Sequence, residues 1–275
     1  MICEQTDMKL RRLGLDGMAE AYGDQRRGPG SAVLGFDERL AMLVDRQWEH
    51  QENLALQRRL GYAKLRQSAA LEDIDWEAPR GLRRELVAQL ATGDWLRHHR
   101  HCLITGPTGV GKSWLACALA QKACRDGYRV LYLSAARLFR DLLAASSDGS
   151  MSRLIRRLTR PHLLVIDDWG MDTVRRSQYR DFLELLEERQ DKGSMLIASQ
   201  LPPDDWHRLV DDPTIADAIL DRIVHSAYRI SMDGETMRRR RPLADRPPDA
   251  ATGPEDPEKP AELTSTDRPI KQRKG

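Results

Sequence analysis

The chain has 275 residues, of which 40% are hydrophobic and 31% are charged. This length is enough for one sizeable hydrophobic core and a smaller additional domain. No apolar run approaches the ~20 residues that a membrane-spanning helix needs, and the first residues carry charges of both signs. We therefore expect neither a membrane contact nor a signal peptide. The net charge is only +2, so any affinity for nucleic acid must come from local basic patches.

The four cysteines stand at positions 3, 102, 117 and 124, and no two of them form a C-x-x-C pair. Cys102 and Cys117 fall on a predicted core strand and a predicted core helix, where cysteine usually behaves as a small hydrophobic residue. This cysteine usage is typical of reducing compartments, so we expect a cytoplasmic protein.

Residues 1–70 are predicted to form a small helical domain that contacts DNA or a partner protein. Apolar residues recur at helical intervals between Met8 and Tyr22, and again in a longer stripe. The stripe contains Phe36, Leu40, Leu43, Val44, Trp48, Leu56, Leu60, Ala63 and Leu65. Outside it lie four basic residues that form either a basic binding side or a solvated helix face: Arg58, Arg59, Lys64 and Arg66.

Residues 71–241 alternate between strand and helix patterns. The run 128–133 is of strand type, and the runs 163–166 and 195–198 are continuously apolar, which is typical of buried parallel strands. Between the last two runs, residues 177–189 have the apolar spacing of an amphipathic helix. This alternation predicts an α/β fold with a parallel sheet flanked by helices.

The segment Gly106–Ser113 reads G-P-T-G-V-G-K-S and matches a phosphate-binding loop, with a strand-type run before it and a helix pattern after it. Glycines let the backbone curl with its N–H groups inward, and the helix N-terminus would face the phosphates. Lys112 supplies positive charge for the β- and γ-phosphates, and the Ser113 hydroxyl can bind Mg²⁺. We predict nucleoside triphosphate binding by Gly106, Pro107, Thr108, Gly109, Val110, Gly111, Lys112 and Ser113.

The segment Met151–Arg160 reads M-S-R-L-I-R-R-L-T-R and predicts a helix with one basic face. The basic face consists of Arg153, Arg156, Arg157 and Arg160. The opposite face is apolar and consists of Leu154, Ile155 and Leu158. Four arginines on one face repel one another unless anions compensate, so this face either contacts DNA phosphates or is a solvated face. No aromatic residue interleaves with them, so any DNA binding should be largely independent of base sequence.

The run Leu163–Gly170 reads L-L-V-I-D-D-W-G, an apolar strand that ends in two carboxylates. The strand should place both acids at the carboxyl edge of the sheet, where the phosphate loop also opens. We predict that Asp167 is an outer-sphere or water-mediated partner of Mg²⁺ together with Ser113. Asp168 is predicted to orient or deprotonate the attacking water.

Two later segments add candidate catalytic residues. Ser199 and Gln200 end the strand-type run 195–198, so a polar side chain should stand beside the γ-phosphate. The stretch 215–224 fits a helix with Arg222 near its end. Arg222 either reaches the nucleotide of a neighbouring subunit or forms an ordinary surface charge pair with the adjacent aspartate.

The stretch 242–275 is predicted to be a disordered tail. It holds seven of the fourteen prolines and no aromatic residue. Such a segment cannot bury enough apolar surface to offset its ordering entropy. The arginine run 238–241 before it either touches nucleic acid or is simply solvated.

Taken in order, these motifs resemble the IstB-type transposition helper ATPases. The residues that carry the resemblance are G-P-T-G-V-G-K-S from Gly106, L-L-V-I-D-D-W-G from Leu163, A-S-Q-L-P-P-D-D-W-H from Ala198 and I-A-D-A-I-L-D-R-I-V-H-S-A-Y-R-I from Ile215. The resemblance extends over about residues 8–240 and leaves the tail unmatched. The family belongs to the AAA+ class and is related to DnaC-type helicase loaders.

The resemblance implies a helical N-terminal domain followed by an AAA+ module that binds ATP and Mg²⁺. It also implies oligomers that assemble on duplex DNA and direct an integrase-type transposase to target sites. By position, Lys112 and Ser113 are Walker A residues, Asp167 and Asp168 are Walker B residues, Ser199 is the first sensor and Arg222 is the arginine finger. Many AAA+ proteins have Glu in place of Asp168, so we expect slow ATP hydrolysis that DNA or a partner stimulates.

Two other functions share parts of this pattern. A helicase loader has the same nucleotide-site motifs and would bind a replicative helicase in place of a transposase. A small-molecule kinase also has a phosphate loop, but it needs an acceptor pocket and usually a lid. The closing segment Gly234–Arg238 resembles the family motif G-E-S-M-R, with Thr236 where Ser is usual. A γ-phosphate sensing role for Arg238 stays open.

Overall fold

The computed structural model of the chain describes residues 2–28, 33–225 and 227–237. The predicted tail from residue 242 and the arginine run 238–241 lie outside these described residues. Within them, no helix combines the length and the apolar character that crossing a membrane requires.

The N-terminal part is helical, as predicted. It consists of α1 (Ile2–Arg12), α2 (Asp16–Arg27) and α3 (Phe36–Ala63). Helices α2 and α3 approach closely at Gly17, where an added Cβ would lie 2.7 Å from the Arg46 carbonyl oxygen. A side chain at this position would force the helices apart. Gln47 of α3 is buried at the same contact and accepts a hydrogen bond from the Met18 N–H at 3.1 Å.

The apolar stripe predicted on α3 has two different environments. In the first half of the helix, Phe36 and Trp48 are 70% and 68% exposed, and Leu40 and Val44 are exposed as well. Their exposure follows from the packing of α2 on the neighbouring face, which carries Gln47. The helix prediction is confirmed, but the first half of its apolar stripe lies on the surface.

The second half of α3 packs on the α/β part of the chain. Leu56 and Leu60 contact its core, as does Leu65 just after the helix, and the Arg59 Nε donates to the Cys124 carbonyl at 2.8 Å. Apolar packing therefore crosses the boundary that the sequence places at residue 70.

The α/β part has the predicted alternation of helices and strands. A 3₁₀ turn at Leu71–Asp73 opens it, and a 3₁₀ helix at Pro203–Leu209 precedes the last α-helix. Its α-helices are α4 (Arg84–Ala91), α5 (Asp94–Arg97), α6 (Lys112–Arg125), α7 (Ala135–Asp148), α8 (Met151–Thr159), α9 (Arg176–Arg189) and α10 (Pro213–Val224). Its strands are β1 (His101–Thr105), β2 (Val130–Ser134), β3 (Leu163–Trp169), β4 (Ser194–Ser199) and β5 (Ala227–Ser231).

The five strands of the described residues form one parallel sheet in the order β2-β3-β4-β1-β5. Strand β4 therefore lies between β1, which leads into the phosphate loop, and β3, which carries the acid pair. Thr105 at the end of β1 is in register with Ser199 at the end of β4, and Ser199 pairs on its other side with Trp169 of β3. The three strand ends thus meet at one carboxyl edge, where parallel α/β sheets bind ligands.

Hydrophobic layers cover both faces of the sheet. Alternate strand residues such as Ile104 and Val165 point to a layer that contains α6, while Leu103 and Ile166 point to a layer formed by α7, α8, α9 and α10. This alternation follows from the two-residue period of a strand. The doubly covered sheet confirms the predicted fold class.

A buried arginine ties α9 to the ends of two strands. Arg189 is 1% exposed, and its guanidinium donates to four backbone carbonyls. The carbonyls belong to Leu158, Pro161, His162 and Ser194. Burial lowers the pKa of Arg189 to about 10, so the side chain still carries its charge near neutral pH. These bonds hold the amino ends of β3 and β4, opposite the edge that carries the site.

Candidate functional site

The phosphate loop lies between β1 and α6, as the sequence predicts. Gly106, Gly109 and Gly111 have φ values of 146°, 91° and 103°, which are unfavourable for residues with a side chain. Helix α6 begins at Lys112, so its first N–H groups lie at the loop. The loop therefore has the backbone form that an anion-binding site requires.

A segment after β5 packs directly on this loop. The Met232 N–H donates to the Thr105 carbonyl at 2.7 Å, and the Met237 N–H donates to the Gly109 carbonyl at 2.9 Å. A Cβ on Gly109 would lie 2.2 Å from the Thr236 hydroxyl oxygen. Glycine is thus needed here for close packing as well as for loop curvature. The only sequence signal for this contact is the resemblance of the segment to the family's closing motif.

Lys112 is buried at the start of α6, with 8% of its surface exposed. Its Nζ donates to the Pro107 carbonyl at 2.9 Å, which directs the amine back across the loop. Burial lowers the pKa of Lys112, while the nearby Asp167 and Asp168 carboxylates act in the opposite direction. The predicted Walker A lysine and the predicted acid pair are therefore close enough to interact.

The acid pair lies where β3 loses its regular register with β4, between Ile166 and Trp169. Such irregularities change the direction in which strand side chains point. Asp167 is 1% exposed and accepts a hydrogen bond from the Tyr132 hydroxyl on β2. Burial, and then the hydrogen bond to Asp167, raise the pKa of Tyr132, so the phenol stays a hydrogen-bond donor. Sequence reasoning did not identify Tyr132, because its partner is 35 residues away.

Asp168 has a left-handed backbone conformation with a φ of 58°. Its N–H donates to the Asp167 carboxylate at 3.0 Å, and its own side chain is 44% exposed. The two carboxylates therefore differ in environment, one inside the core and one open to solvent.

Arg66, in the segment that follows α3, contacts both carboxylates. One terminal nitrogen of its guanidinium lies 3.1 Å from the Asp168 Oδ2 and 3.6 Å from the Asp167 Oδ2. The sequence placed Arg66 in a basic side of the helical domain but gave no reason to place it at the acid pair. The two partners are 102 residues apart, and no local pattern links them.

Polar groups at the end of β4 take two different roles. Ser199 is fully buried, and its hydroxyl donates to the Trp169 carbonyl at 2.9 Å and accepts from the Leu201 N–H at 3.0 Å. The Gln200 side chain instead accepts a hydrogen bond from the Thr108 hydroxyl of the phosphate loop at 2.8 Å. Of the two residues singled out from the sequence, Gln200 is the one whose side chain reaches the loop.

Arg222 lies on α10, where the sequence places it, and has partners within its own chain. Its guanidinium donates to the Glu187 carboxylate at 3.1 Å and to the Ala218 carbonyl at 2.9 Å. The charge pair therefore involves Glu187 of α9 and not the adjacent aspartate that the sequence alternative named.

The amphipathic form of α8 agrees with the sequence prediction. Leu154, Ile155 and Leu158 are buried as predicted, and the arginines are exposed. Arg157 donates to the Asp141 carboxylate of α7 at 2.7 Å. Within the part of the chain that the structure describes, the other three, Arg153, Arg156 and Arg160, form no ion pair.

These groups fit a nucleoside triphosphate with Mg²⁺. A curled glycine loop, a buried lysine and a helix N-terminus suit the phosphate charge. A serine hydroxyl at Ser113 and a buried carboxylate at Asp167 are hard oxygen ligands of the kind that Mg²⁺ prefers.

Comparison with known proteins identifies the family. A family model described as IstB-like ATP binding protein matches residues 8–244. An insertion sequence ATP-binding protein of Sinorhizobium fredii, y4pL, is 46% identical over 239 residues, which cover 87% of this chain and 98% of the relative. The ATP-binding protein of insertion sequence IS1162 from Pseudomonas fluorescens is 43% identical over 203 residues, covering 74% of this chain and 88% of the relative.

Solved structures agree on the fold. The crystal structure of DnaI superposes with a TM-score of 0.53 at 21% identity, over 61% of this chain and 92% of that chain. AMPPCP-bound DnaA from Aquifex aeolicus gives a TM-score of 0.50 at 17% identity, over 64% of this chain and 53% of that chain. At these identities the likeness concerns the AAA+ fold alone. With the family model matching both its helical and its α/β parts, this chain belongs to the IstB-like ATP-binding proteins of insertion sequences.

Proposed function

We propose that the protein is an ATP-hydrolysing AAA+ regulator of DNA transposition. It assembles as an oligomer on duplex DNA and directs an integrase-type transposase to target sites. The observation that carries the proposal is that the ends of β1, β4 and β3 meet at one carboxyl edge of the sheet, which brings the phosphate loop and the buried Lys112 to the Asp167–Asp168 pair. The names of the relatives, which are ATP-binding proteins of insertion sequences, supply the transposition context.

Each residue of the site has a proposed role. Lys112 and the loop N–H groups neutralise the β- and γ-phosphates and hold them in place. Ser113 and Asp167 hold Mg²⁺, which supplies further positive charge to the phosphates when it is bound. Asp168, the more exposed carboxylate, orients or deprotonates the attacking water. Its short side chain supports slow hydrolysis that DNA or a partner stimulates.

The end of β4 supplies the first sensor. We assign contact with the loop to Gln200, whose amide oxygen already accepts from Thr108. Ser199 holds the strand end in position through its bonds to Trp169 and Leu201. In this proposal Gln200 contacts the phosphate loop, and Ser199 fixes the strand end that carries Gln200.

Two surfaces support the proposed partners. The exposed arginines of α8 are suited to DNA phosphates, which contribute most of the sequence-independent affinity of DNA-binding proteins. On α3, Phe36 and Trp48 form part of an exposed apolar surface of the kind that binds other proteins. The first surface supports binding to duplex DNA, and the second supports contact with the transposase or with another subunit.

We place the protein in the cytoplasm. Cys102, Cys117 and Cys124 are free and buried. Free thiols in a hydrophobic core are typical of a reducing compartment.

A helicase loader is the alternative function. Its partner would be a replicative helicase, so co-purification distinguishes the two: a transposase supports our proposal, and a hexameric helicase contradicts it. A small-molecule kinase is the more remote alternative, because that class needs an acceptor pocket and usually a lid, whereas we propose that Arg222 reaches a neighbouring subunit.

ATP binding by the Lys112→Ala variant tests the proposed site. We expect a loss of affinity of at least about 100-fold, because the phosphate charge loses its fixed cation. Lys192→Ala serves as the control, and its affinity should be unchanged. Lys192 is exposed and lies just before β4, at the edge of the sheet opposite the site. Fluorescence titration with a labelled ATP analogue measures both. Affinity of Lys112→Ala within twofold of the wild type would contradict the assignment.

A further inference from the structure

The Arg66 guanidinium occupies the position at the acid pair where a metal-bound nucleotide would need free carboxylates. It lies 3.1 Å from Asp168 and 3.6 Å from Asp167. Both acids carry roles in the proposed nucleotide site, whereas Arg66 comes from the segment that joins α3 to the α/β part. The contact therefore links the helical part of the chain to the centre of the site.

The segment that carries Arg66 is anchored on both sides. We call residues 64–70 the connector. Lys64 ends α3 in a left-handed conformation with a φ of 53°, which turns the chain away from the helix axis. Ala63 before the turn and Ala69 after it are buried. Leu65 of the connector packs against the core cluster that contains Cys117 of α6. The connector thus rests on the core layer that contains the helix following the phosphate loop.

The arginine side chain, in contrast, is free to leave. It is 58% exposed, and exposed ion pairs are weak. Asp167 is 1% exposed, so it has room for few partners at once. A divalent cation held by Asp167 would place two like charges a few ångströms apart, and such charges repel. Arg66 and a metal ion therefore compete for the same carboxylate.

We propose that Arg66 is a cis-acting latch, a side chain whose ion pair with Asp167 and Asp168 competes with Mg²⁺ and nucleotide for these carboxylates and is displaced when they bind. The inference rests on the proposed nucleotide site and adds a regulatory contact to it. Displacement of Arg66 removes one of the contacts that hold the connector at the end of α3, while the buried residues Ala63 and Ala69 stay in place. By reciprocity, any partner that pulls on α3 and moves Arg66 strengthens binding of the magnesium–nucleotide complex.

Nucleotide affinity with and without Mg²⁺ tests the latch. The measured quantity is the Kd of a non-hydrolysable ATP analogue in EDTA divided by its Kd in Mg²⁺. A larger ratio means that Mg²⁺ strengthens binding more. In Arg66→Ala this ratio should rise about threefold to fivefold over the wild type, because Mg²⁺ no longer has to displace the ion pair. This factor corresponds to the upper range of free energies measured for exposed ion pairs. Arg66→Lys keeps the charge and should stay near the wild type. Arg58→Ala removes an exposed arginine of α3 and is the matched control.

An unchanged ratio in Arg66→Ala, or a lower one, would overturn the latch. A wild-type protein that binds no analogue under either condition would instead reject the proposed nucleotide site, so the two failures are distinct. Hydrogen exchange gives a second readout that does not depend on activity. Mg²⁺ with the analogue should speed exchange in residues 64–70 of the wild type and should change it little in Arg66→Ala. Equal exchange in the loaded and unloaded wild type would also contradict the proposal.

Discussion

Asp168 illustrates how backbone conformation restricts the choice of a catalytic side chain. Its φ of 58° lies in the left-handed region, where Asp and Asn are several-fold enriched and longer side chains are rare. The sequence shows only that Asp stands where many AAA+ proteins have Glu. The structure supplies a physical reason for the shorter carboxylate, because it suits the irregular end of β3.

Gln200 and Ser199 should respond differently to substitution. Gln200→Ala should reduce ATP hydrolysis at least tenfold with little change in Tm, because its side chain contacts the phosphate loop at Thr108. Ser199→Ala should lower stability by about 1–2 kcal/mol, since it leaves buried backbone groups without their partner. Steady-state hydrolysis and thermal unfolding measure the two effects. A stable Ser199→Ala protein with no hydrolysis, beside a fully active Gln200→Ala protein, would reverse our assignment.

Spacing along the chain predicts some residues of the site and misses others. The loop from Gly106 and the acid pair at Asp167 follow from local patterns, since their chemistry requires neighbouring residues in a fixed order. Tyr132 and Arg66 reach the pair from distant segments, 35 and 102 residues away. Such contacts depend on strand order and on the path of the connector, which no local pattern encodes.

Helix α8 is an element whose two faces the sequence predicts correctly. Leu154, Ile155 and Leu158 are buried, as their spacing requires. The structure adds that Arg157 is paired with Asp141, so the basic face has three arginines that are better placed for phosphate contact. These three are Arg153, Arg156 and Arg160.

Replacing these three arginines with glutamine tests the α8 surface. Duplex binding should weaken equally across DNA sequences, and its salt slope should become shallower by about one unit for each lost phosphate contact. Arg208→Gln removes an exposed arginine of the 3₁₀ helix and serves as the control, with an unchanged slope expected. Binding titrations at several salt concentrations measure the slope. If the triple variant keeps the wild-type slope, α8 is a solvated face and DNA binds elsewhere.

Helix α3 shows where periodicity stops being informative. The apolar stripe predicts the helix correctly, but it does not indicate which part of the protein packs on the first half of the helix and which on the second. The second half packs on the α/β core through Leu56 and Leu60, whereas Phe36 and Trp48 stay exposed. The contact with α2 instead uses Gly17 and Gln47, which no hydrophobic pattern marks.

At the scale of the whole molecule, the fold class follows from the sequence and the topology does not. Alternating strand and helix runs predict a parallel sheet covered on both faces, and the structure confirms it. The position of β4 between β1 and β3 is not visible in the order of the runs. That position brings Thr108 of the phosphate loop within hydrogen-bond distance of Gln200 at the strand end.

The role of Arg222 determines whether a complete ATP-hydrolysing site is formed by one subunit or by two. In the described structure it is held by Glu187 and by the Ala218 carbonyl. A side chain that is 30% exposed on α10 can exchange this pair for a phosphate of a neighbouring molecule. We predict that it does so when ATP-bound subunits assemble on DNA.

ATP hydrolysis by mixtures of two inactive variants is the most direct test of this account. The Arg222→Ala variant retains an intact phosphate loop, and the Lys112→Ala variant retains the Arg222 side chain that we propose acts as the arginine finger. Each alone should lose hydrolysis by about 10³-fold or more, the scale of an arginine finger. Mixed on duplex DNA, they should recover activity at interfaces where an intact loop meets an intact finger. No recovery, in mixed oligomers shown by negative-stain imaging to form, would contradict a site shared between subunits.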